Sequence, residues 1–92
     1  MGNWSMNLET DEYIEDRDLI IEDSMKAIEE TEPGYFVNLA VADNHGNPDG
    51  YLIPVLKAKY RESVDIHFID QCGCGGYVYR VHKTKQTKRA AN

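Results

Sequence analysis

The spacing of apolar residues changes at Pro33-Gly34, and this change constrains the fold more than any other feature of the chain. Between residues 10 and 31, apolar side chains recur at helical intervals, and one stripe of that helix contains Ile14, Ile21, Met25 and Ile28. After Gly34, apolar and polar residues alternate as they do in β-strands. The sequence therefore predicts an α+β domain that begins with one acidic amphipathic helix. A break near Asp16, which would split this helix in two, is the alternative.

Alternation is clearest in residues 35–42, 63–70 and 77–82, and turn-forming residues fill 43–50 and 71–76. Residues 51–60 are predicted to be another strand, with Pro54 confined to an edge or a bulge because it has no amide donor. A short helix from Pro54 through Arg61 is the alternative. Strands joined by short turns pair antiparallel, so we expect an antiparallel meander of about four strands with the helix packed on one face.

A chain of 92 residues supports one hydrophobic core. We expect a flexible N-terminus over residues 1–9, a single α+β domain over 10–82 and a disordered basic tail over 83–92. No apolar run is long enough to span a membrane, and the N-terminus does not have the pattern of an export signal. The expected location is therefore cytoplasmic, without membrane association.

Charge is distributed unevenly along the chain, whose formal net charge is −6. Residues 1–34 carry eleven acidic and two basic side chains, a net charge of −9, whereas residues 83–92 carry four basic side chains and no acidic one. Residues 35–82 are close to neutral, with five acidic and four basic side chains. Such asymmetry is informative about binding partners rather than about the fold.

The acidic face of the predicted helix is the leading candidate for a binding site. Nine carboxylates between Asp11 and Glu30 give roughly one negative charge per 3 Å of helix axis, close to the spacing of about 3.4 Å between phosphates of one DNA strand. We expect a small acidic intracellular interaction protein that binds a basic surface of a partner protein. In its most specific form, this protein inhibits a nucleic-acid-binding protein by mimicking phosphates. The predicted partner-binding residues are Asp11, Glu12, Glu15, Asp16, Asp18, Glu22 and Asp23.

Two alternative functions rest on other residues. The first is weak nucleic-acid binding through a basic C-terminal group that consists of Arg80, Lys83, Lys85, Lys88 and Arg89. The second is a metal- or thiol-dependent function of the Cys-Gly-Cys turn, for which the weak candidate ligands are Cys72, Cys74 and His67.

No nucleophile motif, phosphate-binding glycine loop or paired catalytic carboxylates occur in the sequence. We therefore expect neither enzymatic activity nor a bound cofactor. Strand edges of the kind predicted here also make a homodimer the expected form of any self-association.

Overall fold

The computed structural model describes residues 2–71 and 76–84. These residues form four strands, which are named β1 (Trp4–Leu8), β2 (Phe36–Val41), β3 (Val64–Gln71) and β4 (Tyr77–Lys83). They also form three α-helices, named α1 (Asp11–Ile14), α2 (Arg17–Glu30) and α3 (Ile53–Tyr60), and short 3-10 turns at Pro48–Gly50 and Arg61–Ser63. This arrangement confirms the predicted α+β class.

The four strands form one mixed sheet in the order β1-β2-β4-β3. β1 runs parallel to β2, and β4 pairs antiparallel with both β2 and β3. The prediction of an antiparallel meander was therefore wrong, because β2 pairs with β4 and not with the segment that follows it. Buried side chains alternate along β2 and join the helical residues in a single core cluster, so the helices cover one face of the sheet.

The N-terminal segment, predicted to be flexible over residues 1–9, contains edge strand β1. Trp4 lies opposite Val37, and Leu8 lies opposite Val41 and is fully buried. A parallel pair needs a long connection between its strands, and α1 and α2 provide that connection here. The alternation of Trp4, Met6 and Leu8 was the local signal of this strand.

The acidic helix is interrupted at Glu15 and Asp16, so the predicted single helix was wrong and the alternative with a break near Asp16 is confirmed. Asp16 has extended backbone angles, and its carboxylate accepts a hydrogen bond of 3.2 Å from the amide of Leu19. This is N-capping of α2 by a preferred residue type. The interruption also changes which residues are buried, since Ile14 from the predicted stripe is 43% exposed.

Residues 53–60 form helix α3, so the alternative prediction for this segment was the better one. Pro54 lies in the first turn, where a missing amide hydrogen has no cost because that hydrogen would have no partner within the helix. Ile53, Leu56 and Tyr60 face the core. The helix replaces the predicted second strand, which explains why β2 is free to pair with β4. Among the described residues, no helix is both long and apolar enough to span a membrane.

Candidate functional site

Exposed carboxylates cluster on α1, on the first half of α2 and at the junction between these helices. We call this set the acidic surface, and it consists of Asp11, Glu12, Glu15, Asp16, Asp18 and Glu22. The seventh predicted partner-binding residue, Asp23, lies mostly inside, with a side chain that is 18% exposed. Its carboxylate accepts a hydrogen bond of 2.6 Å from the hydroxyl of Tyr13 and lies 3.9 Å from the ammonium of Lys26.

The break between α1 and α2 divides the acidic surface into two parts. Asp11 and Glu12 belong to the single turn of α1, whereas Asp18 and Glu22 follow α2. The even charge spacing that motivated the comparison with DNA phosphates assumed one continuous helix. In the structure, the acids of α2 leave a gap between Asp23 and Glu29, and both of these carboxylates accept hydrogen bonds from tyrosine hydroxyls.

The loop after β2 holds α1 in place. The Nε2 atom of His45 lies 2.9 Å from the carbonyl oxygen of Tyr13, and the side-chain amide of Asn44 donates a hydrogen bond of 2.8 Å to the carbonyl of Ile14. The carbonyl of Tyr13 also accepts a hydrogen bond of 3.3 Å from the amide of Asp16, so side-chain and backbone groups together satisfy the carbonyls at the end of α1. The composition of residues 43–50 predicts a turn but not this role, for which no local pattern exists.

Three tyrosine hydroxyls donate hydrogen bonds to carboxylates of neighbouring elements. The bond from Tyr13 to Asp23, together with burial, raises the pKa of Tyr13 to about 12. Burial and a bond to Glu29 raise the pKa of Tyr60 well above its ordinary value. Burial and a bond to Asp49 do the same for the pKa of Tyr79. The carboxylates of Asp23, Glu29 and Asp49 therefore form hydrogen bonds within the domain.

The two described members of the predicted basic group, Arg80 and Lys83, lie on opposite faces of the sheet. Arg80 lies on the sheet face opposite the helices, where its guanidinium carbon is 4.1 Å from the ring centroid of Phe36 and its Nε donates to Asn38. Lys83 belongs to β4, not to the predicted tail, and is 2% exposed on the helix-covered face. The remaining residues of the group, Lys85, Lys88 and Arg89, lie outside the described residues.

Lys83 caps the C-terminal end of α2. Its ammonium donates to the carbonyl oxygens of Ile28 at 2.9 Å and Glu29 at 3.3 Å. Burial lowers the pKa of Lys83, and the nearby carboxylate of Glu29 partly offsets this effect. A lysine in this position has a structural role and is not available at the surface.

The proposed thiol or metal site is only partly described. Exposed His67 lies 3.1 Å from the carboxylate of Asp65 on β3, whereas Cys72 and Cys74 lie outside the described residues. Within residues 2–71 and 76–84, no group of three or more His, Cys, Asp or Glu side chains is arranged to hold a metal ion.

The ends of β3 and β4 that flank the two cysteines are well defined. Gln71 lies opposite Tyr77 in the antiparallel register, and residues 72–75 connect these two strands. The second half of β3 is exposed from His67 to Gln71, and Phe68 in that stretch is 52% exposed. The part of β3 that leads into residues 72–75 is therefore exposed.

The model of a family described as "putative radical SAM target protein" matches residues 1–84. No curated protein and no solved structure match the chain.

Proposed function

Because the chain belongs to the family of putative radical SAM target proteins, we propose that it is the protein substrate of a radical S-adenosylmethionine enzyme. The match over residues 1–84 carries this proposal, since it extends from the N-terminus through β4. In this role the folded domain presents a segment for modification and performs no chemistry of its own.

The modified residues in this proposal are those of the Cys72-Gly73-Cys74-Gly75 segment. Its two thiols are the only ones in the chain, and cysteine sulfur is readily oxidised. The strand residues before and after the segment, Gln71 and Tyr77, pair with each other. The exposed half of β3 leaves room for an enzyme at this end of the sheet.

The proposed reaction forms a bond between a cysteine sulfur and a carbon of the same segment. One electron from the enzyme's iron–sulfur cluster cleaves S-adenosylmethionine into methionine and a 5′-deoxyadenosyl radical. This radical takes one hydrogen atom from the carbon and becomes 5′-deoxyadenosine. The carbon radical then bonds to sulfur, the thiol proton passes to solvent, and one electron returns to the cluster. The chain loses two hydrogen atoms in total.

The acidic surface supports a second part of the proposal, the docking of a basic surface on the partner enzyme. Exposed carboxylates on α1, on α2 and at their junction attract a positively charged partner and speed its association. Inhibition of a nucleic-acid-binding protein by this same surface is the alternative proposal. The break between α1 and α2 and the uneven spacing of the acids on α2 give that alternative less support than a continuous helix would.

The test is mass spectrometry of the chain after co-expression with the radical S-adenosylmethionine enzyme of its own organism. We expect a mass lower by two hydrogen atoms, located in the peptide that contains residues 72–75, and loss of one alkylatable thiol. Cys72→Ser and Cys74→Ser, made singly, identify the bonded sulfur. Co-expression with an enzyme that lacks its cluster ligands is the control. An unchanged mass with the active enzyme would contradict the proposal.

A further inference from the structure

A small cavity lies between the start of β1 and the end of α2. Its volume is about 330 Å³, and it is lined by Gly2, Asn3, Trp4 and Glu30. This volume is at the lower end of the range for small-molecule sites, so it suits one amino-acid side chain better than a cofactor. Neither the family description nor the proposed modification of residues 72–75 accounts for it.

Hydrogen bonds fix two walls of the cavity. The indole Nε1 of Trp4 donates to the hydroxyl of Thr31 at 2.9 Å, and that hydroxyl donates to the carbonyl of Ala27 at 2.8 Å. The side-chain oxygen of Asn3 accepts from the amide of Phe36 at 2.9 Å. These bonds tie the N-terminal strand to α2 and β2, so the cavity is largely formed before any ligand enters.

The chemistry of the lining favours a cation. An indole ring attracts a cation to its face, and Trp4 combines this property with the neighbouring carboxylate of Glu30. Glu30 is the last residue of α2, and its side chain is exposed. Because the ammonium of Lys83 already caps the carbonyls of Ile28 and Glu29 at this helix end, the negative charge at the cavity comes from the Glu30 carboxylate itself. The segment that forms the cavity also belongs to the part of the chain with a net charge of −9.

We propose that this cavity binds a lysine or arginine side chain from a partner protein. The alkyl part of such a side chain packs against the indole, and its charged end reaches Glu30. The cavity would then act as a specific anchor point, whereas the acidic surface attracts the partner at long range. Binding of a cation by the isolated chain needs no modification, so its test is independent of the proposed radical reaction.

Trp4 is the only tryptophan of the chain, and its fluorescence therefore reports binding directly. The experiment titrates the full chain at low ionic strength with N-acetyl-lysine methylamide and N-acetyl-arginine methylamide. The uncharged N-acetyl-norleucine methylamide serves as the comparison ligand. We expect a saturable fluorescence change with at least one cationic probe and weaker binding of the norleucine probe.

The variant Glu30→Gln keeps the shape of the cavity and removes its charge. We expect it to weaken binding of the cationic probe on the order of fivefold, as for removal of one partly exposed ionic contact. Asp43→Asn, which removes an equal charge from an exposed position outside both the cavity and the acidic surface, should leave binding nearly unchanged. Circular dichroism checks that both variants are folded. Equal binding of the norleucine probe, equal effects of the two variants, or no saturable signal with either cation would each overturn the proposal.

Discussion

At the scale of single residues, Lys83 is a charged side chain that stabilises the fold from inside the domain. Its ammonium bonds to two carbonyl groups at the end of α2, where a helix always leaves carbonyls without internal partners. The partner carbonyl of Ile28 is 55 positions away in sequence. Lys83 thereby connects the last strand to the main helix.

Replacing Lys83 with Met should lower the free energy of unfolding by about 2 kcal/mol, because buried carbonyl groups lose their donor while most of the side-chain volume remains. Urea denaturation monitored by circular dichroism measures this change. Lys26→Met is the matched control, since Lys26 is 73% exposed, and it should cost less than about 0.5 kcal/mol. Equal stability of the two variants would show that the bonds of Lys83 contribute little.

Three tyrosines make the stability of the domain sensitive to alkaline pH. Each phenol is held neutral by burial and by a bond to a carboxylate, and the pKa of Tyr13 is raised to about 12. The folded state therefore binds these protons more tightly than the unfolded chain, in which the pKa is about 10. The stability from these phenols is complete below about pH 10 and is lost as the pH rises through about 12.

We expect the urea midpoint to fall between about pH 10 and pH 12, and Tyr13→Phe should make this fall shallower. Deprotonation of Lys83 raises stability as the pH rises, because its pKa is lowered in the folded state. This effect of one lysine is smaller than the combined loss of stability from three tyrosines. A urea midpoint that is constant or rises over this interval would contradict the stabilising role of the three neutral phenols.

At the scale of elements, strand β1 makes the N-terminal segment part of the sheet. The strand buries Leu8 completely and carries Trp4, whose indole bonds to the end of α2. Pairing with β2 gives the edge of the sheet its parallel pair. The strand therefore links the start of the chain to both layers of the fold.

Leu8→Ala should reduce the free energy of unfolding by about 3 kcal/mol, because a fully buried leucine leaves a cavity when truncated. The neighbouring exposed residue provides the control, and Asn7→Ala should change stability by less than about 1 kcal/mol. Thermal or urea unfolding distinguishes the two. If residues 1–9 were flexible, as the sequence analysis predicted, both variants would be as stable as the parent chain.

At the scale of the whole molecule, the acidic surface begins at the same end of the sheet as the strand ends that flank the two cysteines. Leu8, Val41, Tyr77 and Gln71 lie opposite one another across the four strands. The chain continues from Leu8 into α1, and residues 72–75 follow Gln71. A partner enzyme that binds the acidic surface and modifies residues 72–75, as proposed, would approach from this end of the sheet.

We expect charge reversal on the acidic surface to weaken capture of the partner enzyme by at least about tenfold at low salt and less at high salt. The variant carries Lys at positions Glu15, Asp18 and Glu22. A control with the same net charge carries Lys at the exposed positions Asp43, Glu62 and Asp65, and it should bind more tightly than the first variant. Affinity is measured by surface plasmon resonance against the unmodified enzyme. Equal affinity of the two variants would mean that net charge, rather than the acidic surface, governs binding.

Local patterns in the sequence were sufficient for the α+β class, for the positions of β2, β3 and β4 and for the exposure of most acidic side chains. Alternation and helical spacing are properties of neighbouring residues, so they can be read from the chain directly. The helix break at Asp16 and the helix at 53–60 were present only as alternatives, because both local signals were compatible with two structures.

The tertiary structure alone decided the pairing of β1 with β2, the strand order and the burial of Lys83 and Asp23. Each depends on groups that are distant in sequence, as in the contact between His45 and the carbonyl of Tyr13 across 32 positions. Whether a charged side chain is buried depends on the carbonyls or hydroxyls that the fold places around it. No periodicity of the chain specifies those partners, and only the packed domain brings them within hydrogen-bonding distance.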